Sequence, residues 1–141
     1  MKAKELMIGD LVKQIESGKL LKITTIDDTY NSINYFDGDA EGELTLELSQ
    51  IEPIPLTPGI LEKLGFIRDP IWHHCDIKIE NYSVCIQLGY ANEIEYVRIR
   101  ELGKDNCVPS EKDSLYLTHI KYFHELQHAF RLCGIEKTIE L

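Results

Sequence analysis

Apolar and polar residues alternate in short runs through the first part of the chain. In LLKITTID (20–27), Leu21, Ile23 and Thr25 alternate with Lys22 and Thr24. In LTLELSQI (44–51), Leu44, Leu46 and Leu48 alternate with Thr45, Glu47 and Ser49. A period of two sends successive side chains to opposite faces, which predicts half-buried strands. Leu6, Ile8, Leu11 and Val12 surround a Gly9-Asp10 turn signal, and NSINYF (31–36) adds another short run. Four or five strands in so few residues predict a small SH3-like antiparallel β-barrel over 1–56. The proline-rich segment EPIPLTPG (52–59) marks its end.

Residues 57–141 carry a different pattern. Thr57 is suited to cap a helix over ILEKL, Pro58 to its first position and Gly65 to the left-handed residue beyond its end. IWHHCDIKI (71–79), YSVCIQL (82–88) and EYVRIRE (95–101) predict a three-stranded meander. A polar loop, GKDNCVPSEKDS (103–114), leads to a predicted helix over 118–133 that stops at Gly134, and IEKTIEL (135–141) alternates as a terminal strand. The expected fold class is α+β, with the Phe123, Leu126 and Phe130 face of the helix packed on the meander.

Composition narrows the function classes. At 141 residues, 43% of them hydrophobic, the chain has the size and make-up of one domain or two very small ones. No apolar run reaches the roughly 20 residues of a membrane span, and the start lacks a signal-peptide pattern, so the expected location is the cytoplasm. The net charge is −9, with 5 basic against 11 acidic residues in 1–56 and 10 against 13 in 57–141. Such a surface repels a phosphate backbone, which argues against nucleic acid as a partner. Cys75, Cys85, Cys107 and Cys133 contain no C-x-x-C pair and are expected to be reduced thiols.

The sharpest motif is HELQH in YFHELQHAF (122–130). Histidines four apart share a helix face, so His124 and His128 could hold zinc while Glu125 takes a proton from zinc-bound water. Three features oppose this. The residues after His128 depart from the metzincin extension, no second downstream helix follows to supply a glutamate, and the two histidines point nearly opposite the apolar face. The favoured expectation is a solvated outer face carrying Lys121, His124, His128 and Arg131, with no metal, no catalytic residue and no cofactor.

Other patterns are weaker. In His73-His74-Cys75-Asp76, alternate residues share a strand face, so His73 with Cys75, or His74 with Asp76, could begin a metal site completed by Cys85 across the hairpin or by His124. A plain strand is expected instead. A nucleophilic cysteine at Cys75 or Cys107 has no local signature. DGDAEGE (37–43) imitates the start of a calcium loop, but Leu48 stands where the closing glutamate belongs. Trp72 and the tyrosines are expected to be packing or interface residues.

KAKELMIGDLV and GKLLKITTID near the start, IEPIPLTPGILEKLGF in the middle and IKYFHELQHAFRLCGIEKTIEL at the end together resemble small uncharacterised proteins encoded in Bacteroides-type genomes, in phage-like or other mobile regions. Endings of that group read HELQN or HQLQN, which implies that His128 is dispensable, and the resemblance implies no functional residue. The expected function is a non-enzymatic, protein-binding or accessory module of phage or mobile-element origin. The alternative is a minimal zinc-dependent hydrolase using His124, Glu125 and His128. The pattern does not speak to oligomeric state.

Overall fold

The computed structural model describes residues 1–36, 42–103, 112–136 and 141. It is an α+β fold with two five-stranded antiparallel sheets and two short α-helices. The chain divides into two compact units, one of Met1–Pro55 with Tyr122–His124 and the other of Leu56–Lys121 with Glu125–Leu141.

The first unit holds β1 (Leu11–Gln14), β2 (Leu20–Asp27), β3 (Ser32–Phe36), β4 (Glu43–Glu47) and β5 (Ile51–Glu52), in the order β4-β3-β2-β1-β5. The predicted alternation is borne out in β2, where Leu21 and Ile23 are buried beside exposed Lys22. They join Val12, Ile33, Tyr35, Leu46, Leu48 and Ile51 in one apolar core. Each such Val, Leu or Ile stabilises the fold by about 1.5–3 kcal/mol relative to an exposed side chain. β2 pairs with β1 through residues 20–22 and with β3 through residues 23–27, and the β2–β3 register shifts between Ile23 and Thr25. A shift of this kind bends a strand. The sheet is open, with β4 and β5 at its edges, rather than the closed barrel expected from the strand pattern. Among the described residues no ladder joins those two edges, which closure requires.

The second unit starts with α1 (Pro58–Lys63). Thr57 Oγ1 accepts the Ile60 N–H at 3.2 Å, Pro58 occupies the first turn, and Gly65 takes φ +96°, all as the sequence predicts. Five strands follow: β6 (Ile67–Asp69), β7 (His74–Ile79), β8 (Tyr82–Leu88), β9 (Ile94–Glu101) and β10 (Leu115–Leu117), in the order β10-β9-β8-β7-β6. The expected three-stranded meander is therefore the middle of a wider sheet. Residues 71–73 form a turn rather than the start of a strand, with His73 at φ +54° and its carbonyl accepting the Leu88 N–H. One face of this sheet is apolar and buried, through Cys75, Ile79, Val84, Ile86, Leu88, Val97 and Ile99.

α2 runs from Phe123 to Leu132, not from 118. The start is late because residues 115–117 pair with β9, Tyr122 bridges to Pro55, and the Phe123 N–H donates to the Ile54 carbonyl at 2.8 Å. The helix ends as expected at Gly134, φ +76°, and the Tyr82 hydroxyl donates to the Cys133 carbonyl at 2.8 Å. Phe123, Leu126, Ala129 and Phe130 are buried as predicted. Most of the expected terminal strand, Cys107 and most of the acidic DGDAEGE loop lie outside the described residues.

Candidate functional site

The outward face of the second sheet is built by register. Asp76 on β7 stands opposite Cys85 on β8, Cys85 opposite Arg98 on β9, and Arg98 opposite Tyr116 on β10. Side chains two residues along a strand share its face, which adds His74, Gln87, Tyr96 and Arg100. The Arg98 guanidinium lies 5.8 Å from the Tyr96 ring centre and 5.7 Å from that of Tyr116, a double cation–π contact. Asp113 Oδ1 faces Nε of Arg98 at 3.0 Å and Nε of Arg100 at 3.1 Å.

Beside this platform, His74, Asp76 and Cys85 converge, with one donor atom of each within 4.8 Å of the others. They are half-buried, and a concavity of 760 Å³ lined by Asp69, His74, Asp76, Lys78 and Ser83 opens beside His74 and Asp76. His74 Nδ1 contacts Asp76 Oδ2, and its Nε2 lies 3.7 Å from Asp69 Oδ2. The other Asp69 oxygen, Oδ1, accepts the N–H groups of Ile71 and Trp72 at 2.9 and 3.2 Å, which fixes the carboxylate in place. Burial, followed by a hydrogen bond to Asp76 and the charge of that carboxylate, pushes the Cys85 thiol up to about 12. Without a cation the sulfur is protonated at neutral pH, so it is a poor nucleophile. Burial also raises Cys75 and Cys133.

The HELQH residues are arranged differently. His124 is buried, 4% exposed, where the helical periodicity predicts a solvent-facing side chain. Its ring stacks on Tyr122, 5.9 Å between centres and 10° between planes, so an aromatic neighbour covers the expected outer position. Gln127, also off the apolar stripe, is buried as well. His128 is half-buried. Glu125 Oε2 accepts the Lys121 N–H at 2.9 Å, a bond that ties off the start of the helix. Among the described residues, no third His, Cys, Asp or Glu makes a ligand group with His124 and His128, and the group formed by His74, Asp76 and Cys85 includes neither.

A second feature lies in the turns at one end of this sheet. Ile71, Trp72 and Tyr90 are 76, 70 and 99% exposed, and the His73 and Tyr90 rings meet edge to face at 6.1 Å. The sequence names Trp72 as an interface candidate, but the place of Tyr90 beside it depends on β7–β8 pairing. No family model, curated protein or solved structure matches the chain.

Proposed function

We propose that the protein is a non-enzymatic binding module that acts through protein contacts, with the 71–73 and 89–92 turns of the second unit as its contact surface. The observation that carries this reading is the cluster of Ile71, Trp72 and Tyr90, large side chains left in water beside one another. Clustered exposed aromatic residues supply large contact area at low entropic cost and dominate the energetics of many protein interfaces. His73, held in the left-handed region by the bond from Leu88 N–H, fixes the turn that presents them.

The first unit is read as an open variant of an SH3-like β unit. The strand order β4-β3-β2-β1-β5 and the 3-10 turn Leu48–Gln50 leading into the last strand support that reading. The cytoplasmic setting and the mobile-element origin rest on composition and on the resemblance of the chain's two ends and middle. The competing hydrolase built on His124, Glu125 and His128 has less support, because the Glu125 carboxylate is committed to the helix start.

The test is affinity capture from a bacterial lysate with the wild-type chain and the Trp72→Ala/Tyr90→Ala double variant, matched by circular dichroism. A protein partner should lose at least about tenfold in enrichment in the double variant. Equal capture of the same proteins by both chains would remove this surface from the reading. Light scattering on both chains identifies a partner that is a second copy.

A further inference from the structure

His74, Asp76 and Cys85 come together through cross-strand pairing rather than through spacing within one segment. We propose that these three side chains form a zinc site, with the fourth coordination position open to water or to an incoming ligand. The inference is independent of the contact surface at Trp72 and Tyr90.

The donor set selects the ion. One imidazole nitrogen, one carboxylate oxygen and one thiolate sulfur suit zinc, which accepts mixed N, O and S ligands in tetrahedral geometry. Magnesium and calcium are hard ions that take oxygen ligands, so an imidazole and a thiolate in the set disfavour them. Zinc–ligand bonds of about 2.0–2.3 Å put neighbouring donors roughly 3.3–3.8 Å apart. The three donors lie within 4.8 Å of one another, and side-chain torsions bring them to that spacing, with the touching His74 and Asp76 atoms moving apart as the ion enters between them.

Two further observations point to a ligand here. His74 Nδ1 is shielded from solvent and makes no hydrogen bond among the described residues; it touches Asp76 Oδ2 without the geometry of one. A shielded nitrogen without a hydrogen bond is costly, and a coordinated cation would satisfy it. On the far side of the same ring, Nε2 faces Asp69 Oδ2. A carboxylate behind a ligating histidine orients the ring and raises its basicity. Asp69 is itself held by two backbone N–H groups, so it meets the requirement for a rigid outer partner.

The charges facing the site are compatible with a dication. Zinc with the Asp76 carboxylate and a Cys85 thiolate is neutral. Arg98, opposite Cys85, and Arg100 share the Asp113 carboxylate, and Arg98 is also drawn toward the two tyrosine rings. Lys78 is exposed on the same strand. On binding, the Cys85 S–H bond breaks, its electron pair forms the sulfur–zinc bond and the proton leaves to solvent. The imidazole binds through the Nδ1 lone pair and keeps its one proton on Nε2, toward Asp69.

The test uses untagged, reduced, full-length protein titrated with Zn²⁺ against a chromophoric chelator and, separately, with Co²⁺ as a spectroscopic probe. One zinc per chain is expected, with a thiolate-to-cobalt charge-transfer band. Cys85→Ser and His74→Ala should each weaken zinc by more than about 100-fold and Cys85→Ser should abolish the band, whereas Asp69→Asn should cost about 10–100-fold with the band retained. His128→Ala should bind zinc as the wild type does, and circular dichroism verifies the fold of each variant. Should Cys85→Ser fail to fold, peptide mapping of wild-type alkylation decides, because zinc must protect Cys85 selectively. Absence of bound zinc in the wild type, an unchanged cobalt band in folded Cys85→Ser, or loss of zinc with His128→Ala overturns the proposal.

Discussion

Helix α2 and the β7–β8 hairpin both collect histidine and acidic side chains, and they do so by different means. On α2, His124 and His128 are related by spacing along one helix. His124 is turned into a buried position against Tyr122, and Glu125 is bonded to the backbone ahead of the helix. On the hairpin, His74 and Asp76 are two residues apart on one strand and Cys85 enters from the next, so three different half-buried donors meet. Local spacing gives two ligands at most in either place. The third depends on which strand lies alongside, and an antiparallel sheet fixes that neighbour residue by residue.

The largest effect that sharpens this contrast concerns α2 as a core element. Phe123 is fully buried, and Phe123→Ala should destabilise the protein by about 3–5 kcal/mol in denaturant unfolding, through reduced burial and the cavity left behind. Stoichiometric zinc binding should persist in whatever fraction stays folded, because none of its ligands is on the helix. A loss below about 1 kcal/mol would mean that the helix is peripheral and would reopen its motif as a functional face.

The features legible in the sequence are those set by neighbours along the chain. Thr57, Pro58 and Gly65 announce α1, alternation announces β2, β8 and β9, and Gly134 announces the end of α2. The features missed are set by distant partners. β6 and β10 are three residues long and become strands through pairing with β7 and β9. Residues 118–122 fit a helical period, but the helix starts only at Phe123, where the Phe123 N–H is taken by the Ile54 carbonyl and Tyr122 bridges to Pro55, both distant along the sequence. The turn before β7 opens at Asp69-Pro70, a signal the strand reading of IWHHC passed over, and it closes with His73 in a left-handed backbone. At the site, the alternation of His74 with Asp76 was readable, and Cys85 was one candidate to complete it. Asp69, which lies behind His74, comes from β6, a strand the pattern did not reveal.

A second prediction concerns the hairpin's thiol and is intermediate in size. An unfolded thiol ionises near 9.0, whereas folded Cys85 holds its proton to about 12. Between those values the folded state binds the extra proton, so stability falls as pH rises through this window and is fully present below it. The melting temperature of the metal-free wild type should therefore drop more steeply with pH than that of Cys85→Ser, in which Cys75 and Cys133 still contribute their own decline. Parallel curves would show that Cys85 is solvated in the folded protein. A third prediction isolates Asp76: Asp76→Asn removes its negative charge beside the sulfur, so the pH profile for alkylation of Cys85 in the absence of metal should move to lower pH. An unmoved profile would leave burial as the sole cause.

The smallest expected effect belongs to the residue that makes the motif conspicuous. His128 is half-buried on a helix, and alanine has the higher helix propensity, by about half a kcal/mol. That gain offsets most of the packing that the imidazole provides, so His128→Ala should change unfolding free energy by less than about 1 kcal/mol. In the same pair of experiments His74→Ala should be similarly mild toward the apo fold, since His74 is half-buried at the sheet surface, and yet abolish tight zinc binding. The two histidines thus differ in ligand binding rather than stability. A destabilisation above about 2 kcal/mol in His128→Ala would instead make that side chain a structural anchor of α2, and the helix would owe its histidine pair to folding.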